Sequence, residues 1–302
     1  MLTLCASPKA FVGHIGIIQR NAVTSWASLQ PRPEILLFGN DPGVAEICRE
    51  FGLRHIPDVA CTESGTPRLD DLFAKADQLA ANNVIGYANA DILLLSDFMR
   101  AVETVSRWRR RFLMIGFRCD IALDHPWDFT QPEEALRRLA REKGFQRGAS
   151  AVDYFVFSRG LYRDMPPFAV GRTHWDHWMV WKAQSMGVPV VDASSSVLAI
   201  HQNHDYVHPQ GRQGVWYGEE AQRNWALAGS NTTRTIEDAT YKLRRGKVRR
   251  NIFHFAVVIK RHSRRIRRAL GLYPPEYPLP LKPPTGAGEN STELDSPRPE
   301  RS

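Results

Sequence analysis

Several features that would assign a chain quickly are missing here. The four cysteines, Cys5, Cys48, Cys61 and Cys119, are widely spaced and form no C-x-x-C pair. That speaks against a cysteine zinc site or a disulfide framework, and for a reduced cytosolic chain. No apolar run approaches ~18 residues, so no transmembrane helix is expected. Met1-Leu2-Thr3-Leu4-Cys5-Ala6 has no basic region and runs directly into a strand-like pattern, so no secretory signal is expected either. Gly13 and Gly16 fall short of the G-x-G-x-x-G fingerprint, which argues against a dinucleotide cofactor. Acidic residues vanish from one segment: residues 241–270 hold 12 Lys or Arg and no Asp or Glu, while residues 1–240 hold 25 basic against 27 acidic residues. The net charge of +8 therefore belongs to one stretch and not to the body of the chain.

What is present is enough for a sizeable core. The chain has 302 residues, 43% hydrophobic and 24% charged, as expected for one large domain with an appendage. Strand-like runs at Leu2–Ala6, Glu34–Gly39, Leu53–Pro57, Phe112–Phe117, Val152–Phe157, Val188–Asp192 and Val197–His201 alternate, over most of the chain, with segments of helical periodicity. Such alternation predicts a mostly parallel α/β sheet with helices on both faces, whose ligands bind at the carboxyl ends of the strands.

The most informative stretch is Val84-Ile85-Gly86-Tyr87-Ala88-Asn89-Ala90-Asp91-Ile92-Leu93-Leu94-Leu95, a buried-strand pattern interrupted by one amide and one carboxylate. In an extended chain Asn89 and Asp91 share a face. A buried carboxylate costs several kcal/mol unless compensated by a metal, an Arg or a helix N-terminus. A plain structural turn, with Asp91 capping the next helix, is the competing reading.

Pro8-Lys9-Ala10-Phe11-Val12-Gly13-His14-Ile15-Gly16, Gln19-Arg20-Asn21-Ala22, Tyr87-Ala88-Asn89-Ala90-Asp91, Pro167-Phe168-Ala169-Val170-Gly171-Arg172 and Ile200-His201-Gln202-Asn203-His204 together resemble an uncharacterised glycosyltransferase-like family of bacteria and plants, of the GT-A type. The resemblance covers about residues 1–230. It implies a GT-A-like fold and transfer of a sugar from a nucleotide-diphosphate sugar to a hydroxyl acceptor, with Mn²⁺ or Mg²⁺. Asp91 would be the main metal ligand, Asn89 would replace the first carboxylate of the usual pair, and His201 would complete the metal site. A satisfied structural histidine is the competing reading of His201, and His204 could join it only if the chain turns at Gln202. Asp176, at the start of a helix after a Pro-rich loop, would face the acceptor as general base, or serve only the helix dipole. Trp175 and Trp178 could stack on a sugar or be core.

Ser7, Lys9 and Phe11 of the first βα turn are expected nucleotide contacts, Arg20 could face the diphosphate or be a solvated helix residue, and Asp41 is a partner for base or ribose. Asn89 leaves open an alternative function, a catalytically inactive nucleotide-sugar-binding or membrane-associated protein. A nucleotidyltransferase would want a Gly-rich basic signature near residue 10, which is lacking. The expected organisation is a glycosyltransferase domain over 1–230, a basic helical appendage over 231–272 and a disordered tail over 273–302. Residues 241–270 would meet an anionic membrane surface from the cytoplasmic side, ahead of a solvated helix or a nucleic-acid stripe.

Overall fold

The computed structural model describes residues 1–204, 211–229 and 234–272. The chain forms strands β1 (Leu2–Ala6), β2 (Glu34–Phe38), β3 (Arg54–Ile56), β4 (Val84–Ala88), β5 (Ile92–Leu93), β6 (Leu113–Ile115), β7 (Arg118–Ile121), β8 (Phe145–Gln146), β9 (Tyr154–Ser158), β10 (Val190–Asp192), β11 (Ala199–Gln202), β12 (Tyr241–Arg244) and β13 (Lys247–Arg250). The helices are α1 (Gly13–Ala27), α2 (Val44–Phe51), α3 (Leu69–Leu79), α4 (Ser96–Trp108), α5 (Glu133–Lys143), α6 (Trp175–Ser185), α7 (Gly211–Tyr217), α8 (Glu219–Ala228) and α9 (His254–Ala269).

The large sheet runs β13-β12-β10-β6-β9-β4-β1-β2-β3. Neighbours are parallel from β3 to β4 and from β6 to β12, while β9 lies antiparallel between β4 and β6. Alternate strand residues serve opposite faces, as the pleat requires. Leu2, Leu4, Ile35, Leu37 and Val156 pack with Trp26 of α1, Ile47 of α2 and Phe98 of α4. On the other face, Leu36, Phe38, Tyr87, Phe155 and Phe157 pack with Phe73 of α3 and Met179 of α6. This is the expected mainly parallel α/β sheet, covered on both sides.

A smaller sheet, β5-β11-β7-β8, changes the reading of residues 84–95. They form two strands in two sheets, not one interrupted strand. The chain leaves the large sheet after Ala88, turns with Ile92 N–H donating to Asn89 C=O at 3.1 Å, and enters the small sheet at Ile92. Leu93 and Leu95 are buried against Cys119, Ile121, Leu136 and Ile200 beneath α5, so burial in a second core prolongs the apolar run. Ser96, the first residue of α4, bonds across to α5 and does not cap its own helix. Its N–H and hydroxyl donate to Glu133 of α5 at 2.8 and 2.9 Å.

The basic segment is not helical throughout. Tyr241–Arg244 and Lys247–Arg250 form an antiparallel hairpin whose first strand pairs with β10. The sheet thus runs past the expected boundary at residue 230, because Tyr241, Leu243 and Val248 alternate with charged residues at strand period and pack on the core. The tail expected to be disordered, 273–302, lies outside the described residues.

Candidate active site

The first two βα turns open at the carboxyl edge of the large sheet and are locked to each other. Phe11 N–H donates to Pro42 C=O at 2.8 Å. A Cβ on Gly16 would stand 2.6 Å from the Phe11 carbonyl carbon, and one on Gly43 would stand 2.7 Å from Phe11 Cβ, so only glycine fits either side of this ring. Buried Gln19 shapes the first turn: its Oε1 accepts from Lys9 N–H at 2.7 Å and its Nε2 donates to Lys9 C=O at 2.9 Å. Ser7 and Asp41 flank Gly39, each with an oxygen 3.9 Å from where its Cβ would be. Arg20 points elsewhere. It makes a two-pronged pair with Glu50 of α2, at 2.5 and 2.8 Å, on an exposed face.

Asp91 sits in the turn between the sheets, and the end of β11 comes to it. His201 lies opposite Ile92 on one side and Asp120 of β7 on the other. The chain does turn after Gln202, which brings His204 to the same carboxylate: Nε2 of His204 is 3.0 Å, and Nε2 of His201 3.6 Å, from Asp91 Oδ2. Donor atoms of Asp91, His201 and His204 all fall within 4.8 Å of one another. Gln202, fully buried, fixes the backbone here by donating its N–H and its Nε2 to Asp91 C=O at 3.3 and 3.1 Å. Asn21 of α1 donates to Gln202 Oε1 at 2.9 Å, tying the first helix to the small sheet.

Behind the cluster runs a chain of buried charges that returns to Asn89. His201 Nδ1 is 3.3 Å from Asp120 Oδ1. Asp120 also meets Arg118 Nε at 2.9 Å and Arg147 Nε at 2.6 Å. Arg118 Nη1 donates to Asp153 Oδ2 at 2.7 Å, and Asn89 Nδ2 donates to Asp153 Oδ1 at 2.6 Å. Asn89 and Asp91, expected to share one face, therefore address opposite ends of this chain, because the strand stops at Ala88. An amide suits position 89 physically: it donates to Asp153, which a carboxylate there would repel.

The charges set one another's protonation. Burial opposes ionisation of Asp91, but His201 and then His204 outweigh it and hold the carboxyl well below the usual range. Burial likewise lowers the His201 pKa, yet Asp91 and Asp120 push it up to about 9. Asp120 is brought down to about 2 against its burial by His201, Arg118 and Arg147. Asp153 is raised, by burial first and then by Asp91, with Arg118 opposing. Lys9 is lowered by desolvation; Asp91 and Asp41 draw it back up while Arg172 lowers it further, so this amine lies in the field of all three groups. Arg172 itself pairs with Glu220 of α8 at 2.7 Å.

Asp176 occupies the first turn of α6, following His174 at φ +81°. It stands apart from the chain of charges. Its Oδ1 is buried without a hydrogen-bond partner, and His177 Nε2 is 3.9 Å from its Oδ2. Trp175 and Trp178 are core residues, packed with Tyr87 and Phe155 and with Phe168 and Tyr162, and are not available to stack on a sugar. Sequence reasoning passed over Arg118, Asp120 and Asp153. The signal for the first two was an i, i+2 pair, Arg118-x-Asp120, and for the third a lone carboxylate opening an apolar run.

No protein-family model matches this sequence, and no curated protein matches it. Solved structures do. TarS 1-349 of S. aureus aligns at 9% identity over 67% of this chain and 58% of its own, with a TM-score of 0.40. The mannosyltransferase PcManGT from Pyrobaculum calidifontis, in complex with GDP-Man and Mn²⁺, aligns at 12% identity over 66% and 56%, with a TM-score of 0.41. Glucosyl-3-phosphoglycerate synthase from Mycobacterium tuberculosis, with Mg²⁺ and uridine-diphosphate, aligns at 11% identity over 68% and 72%, with a TM-score of 0.40. The chain thus spans little more than half the length of the first two, and at these identities no residue role passes from them to it.

Proposed function

We propose that this chain transfers a sugar from a nucleotide-diphosphate sugar to a hydroxyl acceptor, with a divalent cation held by Asp91, His201 and His204. The observation that carries the reading is the convergence of those three donors where the first two βα turns also open. The residues fit an ion: Asp91 Oδ1 is buried with no hydrogen-bond partner. One carboxylate with two imidazoles is a mixed donor set, which suits Mn²⁺ better than Mg²⁺, whose preference is for oxygen. Bound there, the ion would supply Lewis-acid stabilisation of the leaving diphosphate.

The chain's own groups supply the rest. Asp120, whose Oδ1 is 3.3 Å from His201 Nδ1, would orient that imidazole with its Nε2 toward the Asp91 carboxylate. Lys9, whose ammonium lies in the field of Asp91, would serve the diphosphate. Ser7 and Asp41, which flank Gly39, would meet the ribose or base. Asp176 takes the proton from the acceptor hydroxyl as that oxygen bonds to the sugar and the bond to the diphosphate breaks. The alternative, an inactive nucleotide-sugar-binding protein, drew on Asn89 as a weakened ligand; its bond to Asp153 gives that amide a structural role instead.

A thermal-shift screen of nucleotide diphosphates and their sugars, with and without Mn²⁺, tests ligand class and metal dependence together. Saturation near 100 times Kd should add about 2.7 kcal/mol to stability, only when Mn²⁺ is present. Equal shifts and equal sugar-nucleotide hydrolysis in the wild type and Asp91→Ala would refute the metal assignment. Asp176→Asn should lose transfer and keep the donor-induced shift; a lost shift would move this residue to the donor side.

A further inference from the structure

Helix α9 is docked with its charged side inward. Its partly covered residues are His254, Val257, Arg261, Arg264 and Arg268, which recur at helical spacing as one stripe. Arg261 anchors the stripe by pairing through Nε and Nη2 with both oxygens of Asp238, a buried carboxylate. The apolar residues face the other way. Phe255 is 72% exposed and Ile259 53%, Val258 and Ile266 are exposed beside them, and Ile252, Phe253, Leu270 and Leu272 extend the exposure past both helix ends. At 100° per residue the apolar arc is centred about 160° from the docked stripe. Among the described residues, eight of the thirteen exposed large hydrophobics fall between 252 and 272, so this is a patch and not ordinary surface scatter.

Charge identifies what covers the patch. Lys260 and Arg267 are exposed along one edge of the apolar arc, and the preceding hairpin turns outward through Arg244, Arg245 and Lys247, also exposed. No carboxylate occurs between residues 241 and 270 to neutralise them. A second copy of the same face would bring cation against cation, and a nucleic acid would satisfy the charges while leaving the apolar side chains in water. An anionic bilayer surface meets both needs, with apolar groups at the acyl boundary and cations among the headgroups.

We propose that residues 252–272 bind this chain to the surface of a membrane containing anionic lipid, with α9 lying in the interface plane. Among the described residues no helix is long and apolar enough to cross a membrane, so the contact is with the surface. The proposal uses none of the residues of the candidate active site, and either can fail without the other.

The test is co-sedimentation of the full chain with phosphatidylcholine vesicles, and with vesicles in which about one third of the lipid is phosphatidylglycerol. Binding should require the anionic lipid and weaken with salt. A Lys260→Ala, Arg267→Ala double variant should bind about 25-fold more weakly, near fivefold per charge. A Phe255→Ser, Ile259→Ser double variant should not bind, while its unfolding midpoint matches wild type. Wild-type binding that neither double variant changes overturns the proposal. So does failure to bind anionic vesicles, together with a dimer that Phe255→Ser disperses, which assigns the face to a second copy.

Discussion

Two regions of this protein reverse the usual placement of charge and apolar surface, and they do so in opposite senses. At the carboxyl edge of the sheets, three aspartates, one arginine and a histidine are drawn inward; on α9, phenylalanine and isoleucine are turned outward. The buried charges pair with one another, which offsets their desolvation, while Asp91 Oδ1 is buried with no hydrogen-bond partner. The exposed apolar face has no such completion among the described residues. On the proposed readings a small cation would complete the first region and an extended surface the second.

Perturbing each side of the comparison should give effects of very different size. Asp91→Ala comes first: loss of the carboxylate between two imidazoles should reduce transfer at least about a hundredfold, checked by product formation with saturating donor and Mn²⁺. Asn89→Asp follows, since a carboxylate facing Asp153 loses a donor and adds a like charge; denaturant unfolding should register about 3 kcal/mol of destabilisation. Unchanged stability with tighter Mn²⁺ binding would instead make position 89 a ligand. Asp120→Asn weakens the support of His201, and calorimetric titration should find Mn²⁺ affinity down about 10–100-fold. Smallest is Phe255→Ser with Ile259→Ser, which should leave unfolding free energy within about 0.5 kcal/mol of wild type, because these side chains are in water with or without the mutation. A large loss there would mean that α9 packs with its apolar side inward, erasing the contrast.

The strand and helix alternation, and the importance of residues 84–95, were legible in the sequence because hydrophobic period reports burial. What period cannot report is which core a buried residue belongs to. Val84–Ala88 and Ile92–Leu93 are both buried, in different sheets, and so read as one run. His204 depended on whether the chain bends after Gln202, a tertiary matter settled by the amide contacts to Asp91. Arg118, Asp120 and Asp153 each look like an ordinary polar residue until β7 and the start of β9 bring them together. The hairpin at 241–250 was hidden by its charge, since a dense basic stretch reads as a solvated helix unless the alternation of Tyr241, Leu243 and Val248 is weighed against it.

The three-residue turn between β4 and β5 has a mechanical consequence. Asn89 is fastened to Asp153 at the head of a large-sheet strand, whereas Asp91 is fastened through Gln202 to the small sheet that also carries His201. The three proposed ion ligands therefore lie together with the small sheet, and the turns around Ser7 and Asp41, proposed to meet the nucleotide, with the large one. Asn21 of α1, bonded to Gln202 Oε1, and Arg118 of β7, bonded to Asp153, hold the two together, so the spacing between donor cluster and turns is fixed by side chains that belong to neither.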